Sequence, residues 1–268
     1  IAQCLVGSEM CIRDSSSFYW IVSRWADENG FERKRNFMIQ ISNLSKKYGE
    51  TVVFSDLNYT FENACIYGLV GRNGAGKTTL LNILSNYDKN YTGVISIDRK
   101  KMNKVDYLDM PVAYAMDQPS FFNELTIYEN LLLIASSRKI KKQEAFDKIE
   151  RILDGLGLKK YENYSPLELS KGTMQRLNNA CAMIQEEKIT IFDEPFSGLD
   201  PVQMKLLENV IVEFHKKEKG IYIISSHDIE CLQNVCDKCL LLHNGQIREI
   251  NMEEVDREEI AKILSEGE

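Results

Sequence analysis

Hydrophobic and polar side chains follow two different periods along the chain. Residues 38–44 alternate between apolar and polar, which is the pattern of a half-buried strand. Residues 64–70, 189–192 and 221–224 are nearly continuous apolar runs of strand length, typical of parallel strands that are buried on both faces. Leu, Ile and Phe recur at helical intervals over residues 127–156, with Lys and Glu between them. The pattern therefore predicts an α/β fold with a mainly parallel sheet and a helical middle section.

The first 37 residues do not share this patterning. They contain both tryptophans, show no helical or strand period, and do not begin with Met, whereas Met38 starts the first clear strand pattern. Segments of this kind are set apart before a fold is interpreted. We therefore expect residues 1–37 to be a non-native or disordered leader, and the folded domain to span residues 38–268.

Charge and hydropathy narrow the classes of function. The 268 residues include 33 basic and 40 acidic side chains, for a net charge of -7. This balance argues against a nucleic-acid partner, because such partners normally require a basic surface. No apolar stretch approaches the ~20 residues that cross a bilayer, so work at a membrane would need another chain to span it.

A glycine-rich turn follows the apolar run 64–70. Residues 71–79 read Gly-Arg-Asn-Gly-Ala-Gly-Lys-Thr-Thr and match G-x-x-x-x-G-K-[ST], between a predicted strand and a predicted helix at 78–85. Glycines let such a loop wrap a phosphate with its N–H groups pointing inward, and the helix N-terminus adds a positive dipole. We expect Lys77 to reach the β- and γ-phosphates and the Thr78 hydroxyl to bind Mg²⁺. The simpler alternative is a glycine-rich turn without a ligand. The predicted phosphate-binding residues are Gly71, Asn73, Gly74, Gly76, Lys77, Thr78 and Thr79.

Polar side chains follow the other two apolar runs at their carboxyl ends. Asp193 and Glu194 come directly after residues 189–192, and His227 closely follows residues 221–224. Because the carboxyl ends of parallel strands meet at one edge of a sheet, these side chains are expected near the phosphate loop. Asp193 is assigned to the Mg²⁺ shell and Glu194 to deprotonating the attacking water. His227 is a candidate for contact with the γ-phosphate, the alternative being an ordinary surface or packing residue.

Three cysteines near the C-terminal end raise the question of a metal centre. Cys231, Cys236 and Cys239 show two spacings that occur in iron–sulfur ligation, but such a cluster normally has four thiolates and no fourth cysteine lies nearby in the sequence. Cys239 also begins an apolar run. We therefore interpret these residues as packed, reduced thiols rather than as metal ligands.

The order of these elements resembles the nucleotide-binding subunits of ATP-binding-cassette (ABC) transporters, over residues 38 to about 250. Residues 169–176, Leu-Ser-Lys-Gly-Thr-Met-Gln-Arg, stand where that family has its defining L-S-G-G-Q helix start. Lys171 and Thr173 depart from the motif, and Lys171 either faces solvent, which is the preferred interpretation, or adds a cation near the phosphate of the opposite subunit's nucleotide. A Lys at this place resembles bacterial, single-cassette, exporter-type ATPases. The resemblance implies a P-loop NTPase fold with a mainly parallel sheet, an N-terminal antiparallel β subdomain and an inserted helical subdomain at about 119–183.

Further roles come from the same resemblance. Tyr48 would stack on adenine, and Gln118 would sense Mg²⁺ and the γ-phosphate. Ser170 and Gly172 would bind the nucleotide of the opposite subunit, and Asp200 would lie in the loop that crosses to it. The protein would then hydrolyse ATP with a second ATP-binding subunit, identical or different, and power a separate membrane-spanning permease through closure of the dimer. It would be cytoplasmic, peripheral on the inner face of the cell membrane through the permease.

Two other classes of function share these motifs. A soluble ABC-type ATPase could act on nucleic acid or ribosomes, but DNA-repair relatives carry long coiled-coil insertions and translation-factor relatives carry two cassettes, and this sequence shows neither. A catalytically silent nucleotide-binding regulator is disfavoured because Glu194 and His227 are both in place. The transport subunit is therefore the preferred prediction.

Overall fold

The computed structural model of the protein describes residues 37–105, 109–227 and 229–251. The predicted leader lies outside the described residues except for Phe37, which is buried against the core. The strands are β1 (Met38–Tyr48), β2 (Thr51–Glu62), β3 (Cys65–Val70), β4 (Thr92–Ile97), β5 (Lys100–Lys101), β6 (Val112–Ala115), β7 (Ile189–Phe192), β8 (Ile221–Ser226), β9 (Lys238–His243) and β10 (Gln246–Ile250). The helices are α1 (Lys77–Leu84), α2 (Ile127–Ser137), α3 (Lys142–Gly155), α4 (Lys171–Met183), α5 (Pro201–Glu218) and α6 (Ile229–Gln233), and 3-10 helices cover Met102–Lys104, Lys159–Tyr161 and Pro166–Glu168.

An antiparallel sheet forms the N-terminal part, with the strand order β2-β1-β4-β5. The β1 strand is longer than the alternation of residues 38–44 predicts, because bulges interrupt the alternation without ending the strand. Asn43 has φ 51° where the pairing with β2 shifts register between Ile41 and Leu44. The extra residue moves the following side chains to the opposite face and lets the strand continue to Tyr48.

The larger sheet has the order β10-β9-β3-β8-β7-β6, and all of its strands are parallel except β10. Its central strands are buried on both faces. Along β8, Ile221 and Ile223 face the core shared with the antiparallel sheet and α1, whereas Tyr222 and Ile224 face the core shared with the other helices. This explains why the strand reads as a continuous apolar run.

Helices α2, α3 and α4 lie between β6 and β7 in the chain. The periodic segment 127–156 is two helices rather than one, because the chain turns at Lys139, whose φ is 57°. Arg138, beside this turn, is held by Gln185 at 2.8 Å and by Glu187 at 3.0 Å. Thr126 starts α2 with a capping box that includes Glu129. The predicted α/β architecture with an antiparallel β subdomain and a helical insertion is confirmed, and no helix among the described residues is long and apolar enough to cross a membrane.

Candidate functional site

The loop between β3 and α1 depends on glycine at three positions, in two different ways. A Cβ on Gly71 would lie 2.8 Å from the Leu242 carbonyl oxygen, and a Cβ on Gly76, whose φ is 100°, would lie 2.6 Å from Val53 Cγ1. Gly74 also has a positive φ, of 79°, but an added Cβ there would meet nothing within 4 Å. The loop therefore packs tightly on the protein at its two ends and exposes its backbone in the middle, as a phosphate cradle requires.

Lys77, the first residue of α1, folds back over this loop. Its Nζ donates to the Gly71 carbonyl at 2.7 Å and approaches the Arg72 carbonyl at 3.4 Å, and its side chain is only 7% exposed. The same ammonium lies 3.6 Å from Glu194 Oε1. The structure thus brings the predicted phosphate lysine and the predicted base together at the carboxyl edge of the sheet.

Asp193 follows β7 and is almost fully buried. Burial raises the pKa of its carboxyl, while hydrogen bonds from Ser225 and Thr78 oppose the rise. Ser225 Oγ donates to Oδ1 at 2.6 Å, and the Tyr114 hydroxyl approaches Oδ2 at 3.4 Å. The contact between Thr78 and Asp193 joins two of the three residues predicted at the Mg²⁺ site.

Glu194 and His227 meet at the same edge. His227 Nδ1 lies 3.0 Å from Glu194 Oε2, and the His227 side chain is 61% exposed. Glu194 therefore lies between the Lys77 ammonium on one side and the His227 ring on the other. The structure places His227 against the predicted base Glu194, where the imidazole can orient the Glu194 carboxylate.

Gln118 is exposed in the loop after β6. Its neighbour Asp117, which the sequence analysis did not select, interacts electrostatically with Asp193 and helps to raise the pKa of that carboxyl. Asn178 on α4 donates to the Met116 carbonyl at 2.7 Å and anchors the start of this loop. The loop therefore brings the Asp117 carboxylate within electrostatic range of Asp193.

Tyr48 ends β1 and is 53% exposed. Its hydroxyl donates to Asp88 Oδ2 at 3.1 Å, and Lys46 Nζ lies 4.5 Å from its ring centroid. Lys46 is itself buried, with its Nζ 2.7 Å from Asp88 and 2.6 Å from the Asn90 carbonyl. The ring is thus fixed at its hydroxyl and on one face, and much of the remainder is accessible to a flat ligand.

Ser170, Gly172 and Asp200 form a second group. Ser170 caps α4, its Oγ accepting from Thr173 N at 3.3 Å, and Asp200 caps α5, its Oδ1 accepting from Gln203 N at 2.9 Å. A Cβ on Gly172 would lie 3.0 Å from the Gly198 carbonyl, so the start of α4 packs against the loop that precedes α5. Gln175 on α4 donates to the Glu194 carbonyl at 3.2 Å and connects this group to the first one.

The two departures from the signature motif differ in their surroundings. Lys171 is exposed. Thr173 is buried, and its hydroxyl lies 2.9 Å from Ser170 Oγ and 3.2 Å from Arg176 Nη2. Thr173 therefore completes the helix start with internal hydrogen bonds.

A family model described as ABC transporter matches residues 54–197, which is more than half of the chain. The chain belongs to the ABC transporter family. An uncharacterized ABC transporter ATP-binding protein of Methanocaldococcus jannaschii is 32% identical over 208 residues, covering 78% of this chain and 75% of that protein. The bacitracin transport ATP-binding protein BcrA of Enterococcus faecalis is 30% identical over 223 residues, covering 82% of this chain and 71% of that protein. A solved structure described as the ATP binding subunit of an ABC transporter superposes with a TM-score of 0.74 at 27% identity, covering 84% of this chain and 94% of that one. The protein is thus an ABC transporter ATP-binding subunit and an ATPase.

This ABC subunit has site residues that its sequence alone did not reveal. Ser225 directly follows the apolar run 221–224, and its hydroxyl contacts both acids: it donates to Asp193 and accepts from Glu194 N at 2.9 Å. Tyr114 also donates to Asn82 Oδ1 at 3.0 Å and so links β6 to the helix after the phosphate loop. Their only sequence signal was a polar atom in a strand that ends at the ligand edge of the sheet.

Cys231 and Cys239 are packed in the core as predicted, whereas Cys236 is partly exposed. Cys239 is fully buried and Cys231 nearly so, and burial raises the pKa of the Cys239 thiol to about 12. Within the described ranges, no group of three or more His, Cys, Asp or Glu side chains is arranged to hold a metal ion. These thiols behave as small core side chains of the ABC fold.

Proposed function

We propose that this subunit hydrolyses ATP with Glu194 as the general base and, together with a second ATP-binding subunit, powers a separate membrane permease. The observation that carries the proposal is the convergence of Lys77, Glu194 and His227, in which one carboxylate lies 3.6 Å from the ammonium and 3.0 Å from the imidazole. A cation, a base and an exposed glycine loop at one sheet edge are the parts that phosphoryl transfer to water requires.

The Lys77 ammonium would leave the carbonyls of its own loop and bind the β- and γ-phosphates of ATP. Glu194 would accept the proton of the attacking water, with His227 holding the carboxylate in position. Tyr48 would stack on the adenine, because its ring is already fixed and partly exposed.

The donor set at Thr78 and Asp193 fits Mg²⁺. A hydroxyl and a carboxylate are hard oxygen ligands, and Mg²⁺ is commonly bound by one or two carboxylates together with substrate phosphates rather than by a full protein cage. Gln118 and Asp117 lie on the loop after β6, which would complete the surroundings of the Mg²⁺ ion. Bound there, Mg²⁺ would supply charge neutralisation at the phosphates.

The second group would serve the nucleotide of the opposite subunit. Ser170 caps a helix of 13 residues, and the N–H groups and dipole of such a helix start favour a phosphate. Asp200 is exposed on the loop packed against that start, where it could contact a partner. Two subunits would then close over ATP and separate after hydrolysis. They would be two copies of this chain, or this chain and a different ATP-binding subunit.

Transport is supported by the similarity of this chain to BcrA, which is named a bacitracin transport ATP-binding protein. Closure of the two subunits would move a permease, and the protein would lie on the cytoplasmic face of the membrane through that permease. The net charge of -7 fits a protein partner better than nucleic acid.

Replacing Glu194 with Gln tests this function. Loss of a general base is expected to slow phosphate release by about 10²- to 10⁴-fold. Because Gln retains the shape of the side chain, ATP and Mg²⁺ should then trap a dimer that elutes early in size-exclusion chromatography. Glu213→Gln, an exposed change on α5, is the matched control and should behave as wild type. Undiminished hydrolysis in Glu194→Gln would contradict the base assignment, and a variant that stays monomeric with ATP would contradict the closing dimer.

A further inference from the structure

The backbone of Glu194 is in a conformation that an ordinary side chain avoids. Its φ is 49°, in the left-handed region. Pro195 follows it, and a proline further restricts the residue before it. Such a conformation persists only where its surroundings hold it in place, and it is common at functional sites.

Two side chains hold this residue from opposite sides. The Glu194 N–H donates to Ser225 Oγ at 2.9 Å, and the Glu194 carbonyl accepts from Gln175 Nε2 at 3.2 Å. Ser225 is fully buried, and its single hydroxyl proton goes to Asp193 Oδ1 at 2.6 Å, so its lone pairs face Glu194. The direction of each hydrogen bond is therefore determined.

The sheet explains why Ser225 can do this. Phe192 of β7 pairs with Ile224 of β8, so the next residues along the two strands, Asp193 and Ser225, are neighbours. The β7 ladder ends at this point, and Glu194 N, which has left the ladder, bonds the serine hydroxyl instead.

We propose that Ser225 and Gln175 are positioning residues for Glu194. By holding its N–H and its carbonyl, they keep the backbone left-handed and so direct the carboxylate into the space between Lys77 and His227. The inference rests on the proposed function, in which that carboxylate is the base.

Gln175 adds a connection between the two halves of the site. It lies on α4, the helix that Ser170 caps, five positions along the chain from the residue proposed to meet the partner's nucleotide. A contact that shifts the start of α4 therefore acts, through the Gln175 amide, on the backbone of the base. This gives the opposite subunit a physical route to the hydrolysis step.

Steady-state ATPase kinetics on purified full-length variants test the inference. Gln175→Met removes one hydrogen bond to Glu194 and nearly preserves the volume of Gln, whereas Ser225→Ala removes both the bond from Glu194 N and the bond to Asp193 Oδ1. Each is expected to lower kcat by about 10- to 100-fold, the penalty of a misplaced reacting group, with little change in KM. Ser225→Thr retains the hydroxyl and should restore most of the lost kcat. The matched controls are Ser137→Ala and Gln143→Met, which alter exposed residues on α2 and α3 and should leave kcat unchanged.

A Glu194→Ala background separates positioning from general structural damage. With the carboxylate gone, Gln175→Met should have no further effect on the residual rate, because nothing is left to position. An equal fall in both backgrounds would overturn the inference, as would full kcat in both Ser225→Ala and Gln175→Met while Glu194→Ala is inactive. If Glu194→Ala itself kept the wild-type kcat, the proposed role of Glu194 would fail, and that result is distinct from the other two.

Discussion

Gly76 and Gly74 offer a matched pair of substitutions that measures how the phosphate loop is held. Both have positive φ, so replacing either with Ala costs about 1–2 kcal/mol of backbone strain. Ala also restricts the unfolded chain at both positions, and this contribution cancels when the two variants are compared. The pair therefore isolates the effect of contacts made by the added methyl group.

Only the methyl group at position 76 meets the protein. It would lie 2.6 Å from Val53 Cγ1 and 3.1 Å from the Phe54 ring, whereas at position 74 nothing lies within 4 Å. Val is stiff at χ1 and Phe54 is almost completely buried, so neither can move aside easily. Overpacking of this kind costs about 1–3 kcal/mol. Gly76→Ala should therefore lower the free energy of unfolding by about 1–3 kcal/mol more than Gly74→Ala.

Urea unfolding followed by far-UV circular dichroism, without nucleotide, gives this difference by linear extrapolation. Equal destabilisation of the two variants would refute the described packing of the loop end against β2. A smaller loss for Gly76→Ala than for Gly74→Ala would refute it as well.

Two more predictions concern charges near the site and in the core. Asp88→Asn removes the charge that pairs with buried Lys46 and accepts from Tyr48, so it should cost about 1.5–3 kcal/mol in urea unfolding. In calorimetric titrations the same variant should bind ATP more weakly but inorganic tripolyphosphate as before. Equal weakening of both would contradict the stacking of Tyr48 on the adenine ring. Burial lowers the pKa of His215 below its usual 6.5, so the unfolded chain takes up this proton at a higher pH than the folded chain. The free energy of unfolding should therefore fall as the pH drops below about 6.5, and His215→Gln should reduce that fall; an unchanged pH dependence in the variant would exclude His215 as a source.

The sequence patterns located the parts of the site that are local in the chain. The loop with Lys77, the two acids after β7 and the His after β8 each occupy a short segment, and a parallel sheet brings such segments to one edge. The contacts of Ser225 and Gln175 could not be found in the same way. They depend on which strand lies beside β7 and on how α4 packs, and neither is encoded in a local period.

The missed features of the fold have similar causes. Lys139 interrupts a helical segment and Asn43 shifts a strand, both with left-handed backbone. Neither position is a glycine, so the sequence does not mark the turn or the bulge. The apolar period over 127–156 continues through the turn because α2 and α3 face the same core. Gln118 was selected by the family resemblance, while the adjacent Asp117 has the charge that acts on Asp193.

Calorimetric titration of ATP with Mg²⁺ into wild type, Lys77→Ala and the exposed control Lys101→Ala is the most direct measurement. We expect wild type and the control to bind a single ATP per chain with equal affinity. Lys77→Ala should bind at least about tenfold more weakly, since a hydrogen bond to a charged group contributes about 1.5–3 kcal/mol. No heat of binding in wild type, or equal affinity in Lys77→Ala, would contradict the convergence of the phosphate loop and the two acids on one nucleotide.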